Sequence, residues 1–155
     1  MTMTIKTNRL TIVPYTTEWT PLVQEQRYEN GPELEHHLSE LAGNPALLHW
    51  GSWLVIRQDG NIIGDIGFKG LPSANKEVEI GYGLLELYQN HGYATEAIDA
   101  LVDWALSHLA VATVLAETST TNHASIRILE KIGFQKINAS DTALHWSLHQ
   151  AVVSK

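Results

Sequence analysis

The fold of this chain is decided by the stretch EVEIGYGLLELYQNHGYATEA, which is residues 77–97. Its first eight residues alternate in the manner of a strand. One face carries the apolar side chains of Val78, Ile80, Tyr82 and Leu84, and the other carries Glu79, Gly81 and Gly83. Glycines inside a strand leave a bare strip where a ligand or another backbone can approach closely. The pattern predicts a half-buried strand with an open face beside a carboxylate, or a simple bulge with a surface glutamate.

A short loop leads from this strand into an amphipathic helix, predicted over 92–109. Several backbone N–H groups at a helix start have no partner within the helix, and the helix dipole adds positive charge there. Gly92 lets a ligand approach the backbone closely, and Asn90 tolerates left-handed torsion angles. The loop therefore predicts an anion site, although a plain helix cap at Asn90 explains the same residues.

A second helix start lies farther along the chain. Asn122 is typical of a helix cap, and Ser125 follows in the first turn. Gly133 is typical of the left-handed residue that ends a helix, with Phe134 packing back onto the last turn. Capping alone accounts for Asn122 and Gly133 without any function.

The remaining sequence alternates between strand and helix patterns and contains no repeat or linker. Strands are predicted over 9–14, 52–57, 62–68, 114–118 and 143–149, and helices over 124–132 and in two pieces of 17–43 joined by a tight turn at Gly31-Pro32. Because 155 residues is an ordinary size for one domain, we expect a single domain over residues 1–155. The expected class is α+β, a mixed α/β sandwich.

Composition restricts the chemistry and the partners. The chain has no cysteine, which excludes disulfides, thiolate ligands and a cysteine nucleophile. No signal peptide and no run of about 18 apolar residues is present, so we expect a cytoplasmic protein without a membrane partner. The net charge is −7, and no Lys or Arg lies between Lys76 and Arg127. This argues against nucleic acid and favours a cationic partner, or an acidic surface that merely confers solubility.

Histidine pairs do not change the expectation that no metal is bound. His36 and His37 are adjacent, and His145 and His149 lie on a predicted strand, where a spacing of four residues separates them by about 13 Å. No third ligand occurs at a usable spacing.

Taken together, the three segments resemble the GNAT superfamily of N-acetyltransferases, in its branch related to ribosomal-protein N-terminal acetylation. The resemblance is carried by Glu79-Ile80-Gly81-Tyr82, Gln89-x-x-Gly92-x-Ala94-Thr95-Glu96-Ala97, Asn122-x-x-Ser125 with Glu130-Lys131-x-Gly133-Phe134, and the opening Asn8-Arg9-Leu10. It implies the GNAT acyl-CoA N-acyltransferase fold, a bent and mostly antiparallel sheet flanked by helices. In that fold the strands of Glu79 and Val114 are parallel neighbours that splay apart to admit coenzyme A.

The same resemblance implies acetyl-coenzyme A as the cosubstrate. Backbone amides of residues 89–95 would bind its pyrophosphate, and backbone groups of Leu84 and Leu85 would pair with its pantetheine chain. The expected coenzyme-binding residues are Leu84, Leu85, Gln89, Asn90, His91, Gly92, Tyr93, Ala94, Thr95, Asn122 and Ser125. Two departures matter: Asn90 and His91 replace a Gly and a basic residue that are frequent in this branch, and Leu129 stands where many members have a tyrosine general acid.

The expected reaction is direct transfer of the acetyl group to a primary amine, either a protein N-terminus or a cationic small molecule. Such an amine has a pKa of roughly 10, so a base must remove its proton, and Glu79 is the candidate. Ser125 is the candidate acid for the leaving thiolate. We expect a monomer or a homodimer. The alternative is a catalytically weak coenzyme-A-binding sensor or interaction module with the same fold.

Two further interpretations remain open in the sequence. Arg127 and Lys131 either reach the 3′-phosphate of the coenzyme or form a solvated helix face. Tyr28, Trp50 and Trp53 either wall an amine pocket or belong to the core.

Overall fold

One mixed sheet organises the computed structural model, which describes residues 3–150. Its strands are β1 (Ile5–Lys6), β2 (Leu10–Pro14), β3 (Ser52–Arg57), β4 (Ile62–Phe68), β5 (Glu77–Leu84), β6 (Thr113–Ser119), β7 (Gln135–Ala139) and β8 (Ala143–His149). Their order across the sheet is β1-β2-β3-β4-β5-β6-β8-β7. Neighbours that follow each other in the chain pair antiparallel, as at the Asp59-Gly60 turn between β3 and β4, except for β5 and β6, which are parallel.

Four α-helices accompany the sheet in this part of the chain. They are α1 (Thr20–Glu25), α2 (Gly31–Gly43), α3 (Tyr93–Leu106) and α4 (His123–Ile132), with short 3-10 turns at Thr17–Trp19, Pro45–His49 and Glu86–Tyr88. The apolar side of α3 is completely buried at Ile98, Leu101 and Val102 and joins a core cluster with strands β2 to β6. This burial is what holds the start of α3 beside the end of β5.

The middle of the sheet contains the feature that positions the site. Strand β5 runs parallel to β6 only from Glu77, opposite Thr113, to Glu79, opposite Leu115. Its later residues, from Ile80 to Leu84, pair antiparallel with β4 instead. Beyond Glu79 the two parallel strands therefore separate, and the predicted fold of a mostly antiparallel sheet with one splayed parallel pair is confirmed.

Several boundaries differ from the sequence expectation. Gly31 and Pro32 begin α2 instead of forming the turn before it, because proline fits the first turn of a helix, where its missing N–H is not needed. Helix α3 ends at Leu106, where Ser107 Oγ and His108 engage the Trp104 carbonyl, and Leu109 is 91% exposed rather than buried. The short strand β1 and the fully exposed strand β7 were not predicted.

Candidate active site

A cavity of about 530 Å³ opens where β5, α3 and α4 meet. Of the residues expected to hold the coenzyme, its walls include Leu84, Gln89, Asn90, Gly92, Ala94, Thr95, Asn122 and Ser125. Leu85, His91 and Tyr93 do not line it. Both backbone groups of Leu85 are already engaged, because its N–H donates to Ile63 and its carbonyl accepts from Tyr88, each at 2.9 Å.

The start of α3 turns backbone N–H groups toward this cavity. Asn90 and Gly92 have φ angles of 66° and 81°, and both lie in the left-handed region, which the sequence had suggested as available to Asn90. The Glu96 N–H donates to the Gly92 carbonyl at 3.1 Å, so the N–H groups of the residues just before it have no partner one helical turn back. Such a group of amides at a helix start binds anions.

Arg9 braces this loop from outside the cavity. Its Nε lies 2.8 Å from Glu96 Oε1, its Nη1 donates to the His91 carbonyl at 3.0 Å, and its guanidinium lies 4.3 Å from the centre of the Tyr93 ring. Burial alone would raise the pKa of Glu96, but hydrogen bonds from Thr7 and Arg9 outweigh it and leave that pKa below its ordinary value. The carboxylate is thus ionised and fixed at neutral pH.

Helix α4 supplies the opposite wall. Asn122 caps it, since Asn122 Oδ1 accepts the Ser125 N–H at 3.2 Å. Gly133 ends it with a φ of 113°, and Phe134 is buried behind it, as the sequence predicted. Arg127 and Lys131 also line the cavity and bring two cationic side chains to it.

Tyr82 is a site residue that sequence reasoning had placed only on the buried face of a strand. Its hydroxyl is buried without a hydrogen-bond partner in the described part of the molecule. Burial raises the pKa of Tyr82, and the nearby Ser125 side chain, which does not reach hydrogen-bonding geometry, opposes that shift. A buried hydroxyl without a hydrogen-bond partner destabilises the folded state, so a ligand in the cavity that Tyr82 lines would gain by hydrogen bonding to it.

A second cavity, of about 310 Å³, adjoins the first. Tyr82 and Gly83 line both cavities, so the two meet at this point of β5. The β5 side of the second cavity's floor is nearly bare, because a Cβ on Gly83 would meet no other atom of the described chain within 4 Å and one on Gly81 only Lys69 Cε at 3.6 Å. Gly67 on β4, by contrast, is covered by the Gly51 carbonyl. The glycine strip predicted on β5 therefore faces open space.

Glu79, the expected base, lies at the edge of this floor and not in the lining of either cavity. Its Oε2 accepts from Lys69 Nζ at 2.5 Å, and its side chain is 36% exposed. Lys69 does line the second cavity. Lys69 therefore lies between the Glu79 carboxylate and the second cavity.

The sequence pattern of the acetyltransferase (GNAT) domain family matches residues 9–135. The chain belongs to this family. Among its relatives, the uncharacterized N-acetyltransferase YjdG of Bacillus subtilis is 34% identical over 107 residues, which are 68% of this chain and 64% of YjdG. The chain thus spans slightly less than two thirds of that relative's own length.

Solved structures share the GNAT fold over nearly the whole chain. RimL, a ribosomal L7/L12 alpha-N-protein acetyltransferase in complex with coenzyme A, matches with a TM-score of 0.77 and 16% identity, covering 95% of this chain and 98% of RimL. A ribosomal-protein-S5-alanine acetyltransferase from Vibrio fischeri matches with a TM-score of 0.76 and 15% identity, covering 96% of this chain and 97% of that protein. At these identities the likeness concerns the fold.

Asp65 is a cavity residue that sequence reasoning missed. It lines the second cavity, and its carboxylate accepts hydrogen bonds from Tyr28 Oη at 3.1 Å and Asn30 Nδ2 at 2.6 Å. Burial is the main reason that its pKa lies above the ordinary value. The missed signal was an acidic residue at the centre of an otherwise apolar strand, β4.

The aromatic residues proposed as pocket walls do not line either cavity. Trp53 is fully buried, and Trp50 packs on Phe68 and Trp104 with ring centres 5.4 and 5.1 Å apart. Within residues 3–150, no group of three or more His, Asp or Glu side chains is arranged to hold a metal ion. None of the helices described for the chain has the length and apolar character needed to cross a membrane.

Proposed function

We propose that this GNAT-family chain is a single-domain, cytoplasmic N-acetyltransferase that transfers the acetyl group of acetyl-coenzyme A directly to a primary amine. The observation that carries the proposal is the meeting of two cavities at Tyr82 and Gly83. One cavity has the donors and positive charges that suit an anionic coenzyme, and the other has the carboxylates that suit an amine. The meeting point is where the two reactants would touch.

The residues that line the first cavity suit the coenzyme in charge. Backbone amides at the start of α3 would bind the pyrophosphate, and Arg127 and Lys131 would contact the 3′-phosphate of the coenzyme. Leu84, at the end of β5, would border the pantetheine chain. The bound cosubstrate supplies an acetyl group as a thioester, and transfer of that group to the amine yields an amide and a free thiol.

This reaction moves one proton away from the amine and one onto sulfur. Glu79 is the proposed base, and because it does not line the second cavity it would accept the proton through water. Backbone N–H groups on the edge of β5 that has left β6 are free to stabilise negative charge on the carbonyl oxygen. Ser125 is the proposed proton donor to sulfur, with the Tyr82 hydroxyl beside it.

Protonation of the sulfur is helpful without being obligatory. The coenzyme thiol should have a pKa of about 8.5, like that of cysteine, so the thiolate is a tolerable leaving group. No enzyme-bound acetyl intermediate on sulfur is available, because the chain contains no cysteine. Direct transfer fits this absence of cysteine.

The proposed acceptors are a protein N-terminus and a cationic small molecule. RimL and the Vibrio fischeri protein are both described as ribosomal-protein acetyltransferases, which supports testing peptide acceptors. The acidic lining of the second cavity, with Glu33 and Asp65, supports testing small amines equally. The chain would act as a monomer or a homodimer.

The test is thiol release from acetyl-coenzyme A with a panel of spermidine, kanamycin, histamine and peptides that begin with alanine or serine. Every thiol detected must come from the coenzyme, since the protein has none. Amine-dependent release is expected from at least one acceptor. If the coenzyme raises Tm but no amine releases thiol, the chain is a coenzyme-binding module instead.

A further inference from the structure

We infer that Asp65 is the residue that binds the ammonium group of the acceptor, an inference that rests on the proposed function. It assigns the substrate's positive charge to a carboxylate on β4 and leaves proton removal to Glu79. Four observations support it: the position of Asp65, its hydrogen bonds, the lack of a cation beside it, and the different state of Glu79.

Asp65 lies next to the point where the cavities meet. In the pairing of β4 with β5 it stands directly opposite Gly83, which lines both cavities. Directly opposed residues have side chains on the same face of the sheet. A Cβ placed on Gly83 would meet no other heavy atom of the described chain within 4 Å. The space above Gly83, opposite Asp65 on the sheet, is therefore open.

The Asp65 carboxylate is fixed in orientation and still has acceptor capacity. Tyr28 donates to Oδ1 and Asn30 donates to Oδ2, one hydrogen bond to each oxygen. A carboxylate has about four acceptor positions, so each oxygen retains one for a ligand. A primary ammonium group has three N–H donors and can use these positions.

No cation neutralises Asp65 among the residues that the structure describes. Its charged neighbour in the second cavity is Glu33, which is also acidic, and Lys69 in the same cavity is bonded to Glu79. A buried carboxylate without a positive partner is costly, and the raised pKa of Asp65 expresses that cost. A cationic ligand would relieve it.

Glu79 differs from Asp65 on each of these points. It is already paired with Lys69, it is more exposed, and it lies four residues before Gly83 on β5. The two carboxylates therefore have different roles: Asp65 holds the charge of the amine, and Glu79 acts through water on the proton.

The binding claim is tested with methylammonium chloride, the smallest primary ammonium probe, and protein labelled with carbon-13 in the aspartate carboxyl groups. The Asp65 resonance should shift and saturate with methylammonium but not with sodium chloride at equal ionic strength. Asp59 is the matched control, because it is already bonded to Arg57 in an exposed turn. An unchanged Asp65 resonance, or equal shifts at Asp59 and Asp65, overturns the inference whether or not the protein turns over.

A kinetic experiment separates the inference from the proposed function. With the acceptor that releases thiol fastest, Asp65→Asn should raise the KM for amine by at least about tenfold and leave the KM for acetyl-coenzyme A unchanged. Glu79→Gln should lower kcat with little change in the KM for amine. An unaltered KM for amine in a folded Asp65→Asn variant contradicts the inference alone. Absence of transfer by the unmodified chain contradicts the proposed function, and the methylammonium titration then decides the inference.

Discussion

The two cavities that meet at β5 are built in contrasting ways. The first is formed by consecutive residues of a loop and a helix start, together with one face of α4, and its donors are backbone N–H groups and cationic side chains. The second combines short pieces of α2, β3, β4 and β5, and its charged groups are the carboxylates of Glu33 and Asp65 together with Lys69, which is bonded to Glu79. A constant ligand suits a wall made of backbone, whereas a wall made of side chains can change with the acceptor.

The largest effect is expected from a side chain placed at Gly83, where the two cavities meet. Gly83→Val would place a branched side chain where both cavities join, and because the space is open the strand should accept it. We expect kcat/KM to fall by about 10²-fold or more, since misplacement of reactants by about 1 Å already costs that much. Thiol release measures the loss, and circular dichroism with Tm measures the fold.

Gly43→Ala is the control, because a Cβ there also meets no atom within 4 Å but lies at the end of α2, outside both cavities. It should leave kcat/KM unchanged. Normal activity in Gly83→Val would mean that the two cavities do not exchange an acetyl group at Gly83.

Removal of the Glu79 charge should have the next largest effect. Glu79→Gln should lower kcat by about 10²-fold, the lower end of what a general base contributes, and leave coenzyme binding intact. The pH dependence of kcat and coenzyme-induced change in Tm are the measurements. Lys69→Met keeps the carboxylate and removes only its partner, so it should retain most of the activity. Unchanged turnover of Glu79→Gln across pH would exclude Glu79 from the mechanism.

A smaller effect is expected from the hydroxyl between the cavities. Tyr82→Phe should lower kcat about tenfold, and its Tm should not fall, because the substitution removes a buried hydroxyl that has no partner within the described residues. Ser125→Ala provides the comparison. If kcat is unchanged in both single variants and in the double variant, neither hydroxyl protonates sulfur and water must do so.

The smallest effect concerns stability. Burial raises the pKa of Asp65 above its ordinary value, although the hydrogen bonds from Asn30 and Tyr28 oppose the rise, and the charge of Glu33 adds a smaller rise. A raised carboxyl pKa favours the folded state at pH below the unfolded value of about 3.9 and loses that advantage as pH rises through the folded value. Asp65→Asn should therefore raise Tm at pH 7 by about 2–4 °C, the change that roughly 1 kcal/mol makes in a domain of this size.

The gain in Tm should disappear when the unmodified protein and Asp65→Asn are both heated at a pH below about 3.9, where Asp65 is protonated in the folded and the unfolded state. A matched Asp59→Asn variant changes an exposed carboxylate and should not show a pH-dependent gain. A lower Tm for Asp65→Asn at pH 7 would show that its carboxylate stabilises the fold through Tyr28 and Asn30.

The coenzyme side of the molecule was largely predictable from the sequence because its signals are local. The left-handed torsion angles at Asn90 and Gly92, the cap at Asn122 and the end of α4 at Gly133 each depend on a few neighbouring residues. The family and the splayed sheet followed from the order of these segments. The roles of the residues that line the cavity remain predictions.

The acceptor side could not be predicted in the same way, because its residues meet only in the folded chain. Asp65 lies 35 residues from Asn30 in sequence, and nothing near either residue indicates their hydrogen bond. Tyr28 was considered as a pocket wall, but it donates to Asp65 instead. The end of α3 was predicted too late because Leu109 fits the helical period, whereas side chains at residues 107 and 108 compete for the last carbonyl groups.

Arg9 connects the segment before β2 to the loop that would bind the coenzyme, so this segment would influence coenzyme affinity. None of residues 3–9 lines either cavity, so a deletion that ends at Arg9 would leave the described cavity walls in place. It would nevertheless leave Glu96 without its donors from Thr7 and Arg9, and it would release the His91 carbonyl from the guanidinium. The loop before α3 would then become ordered only when the ligand binds, and the entropy lost in that ordering would weaken binding. Under the proposed function, coenzyme affinity would therefore depend on Arg9, which lies 82 residues before His91 in sequence and is not among the residues that line the first cavity.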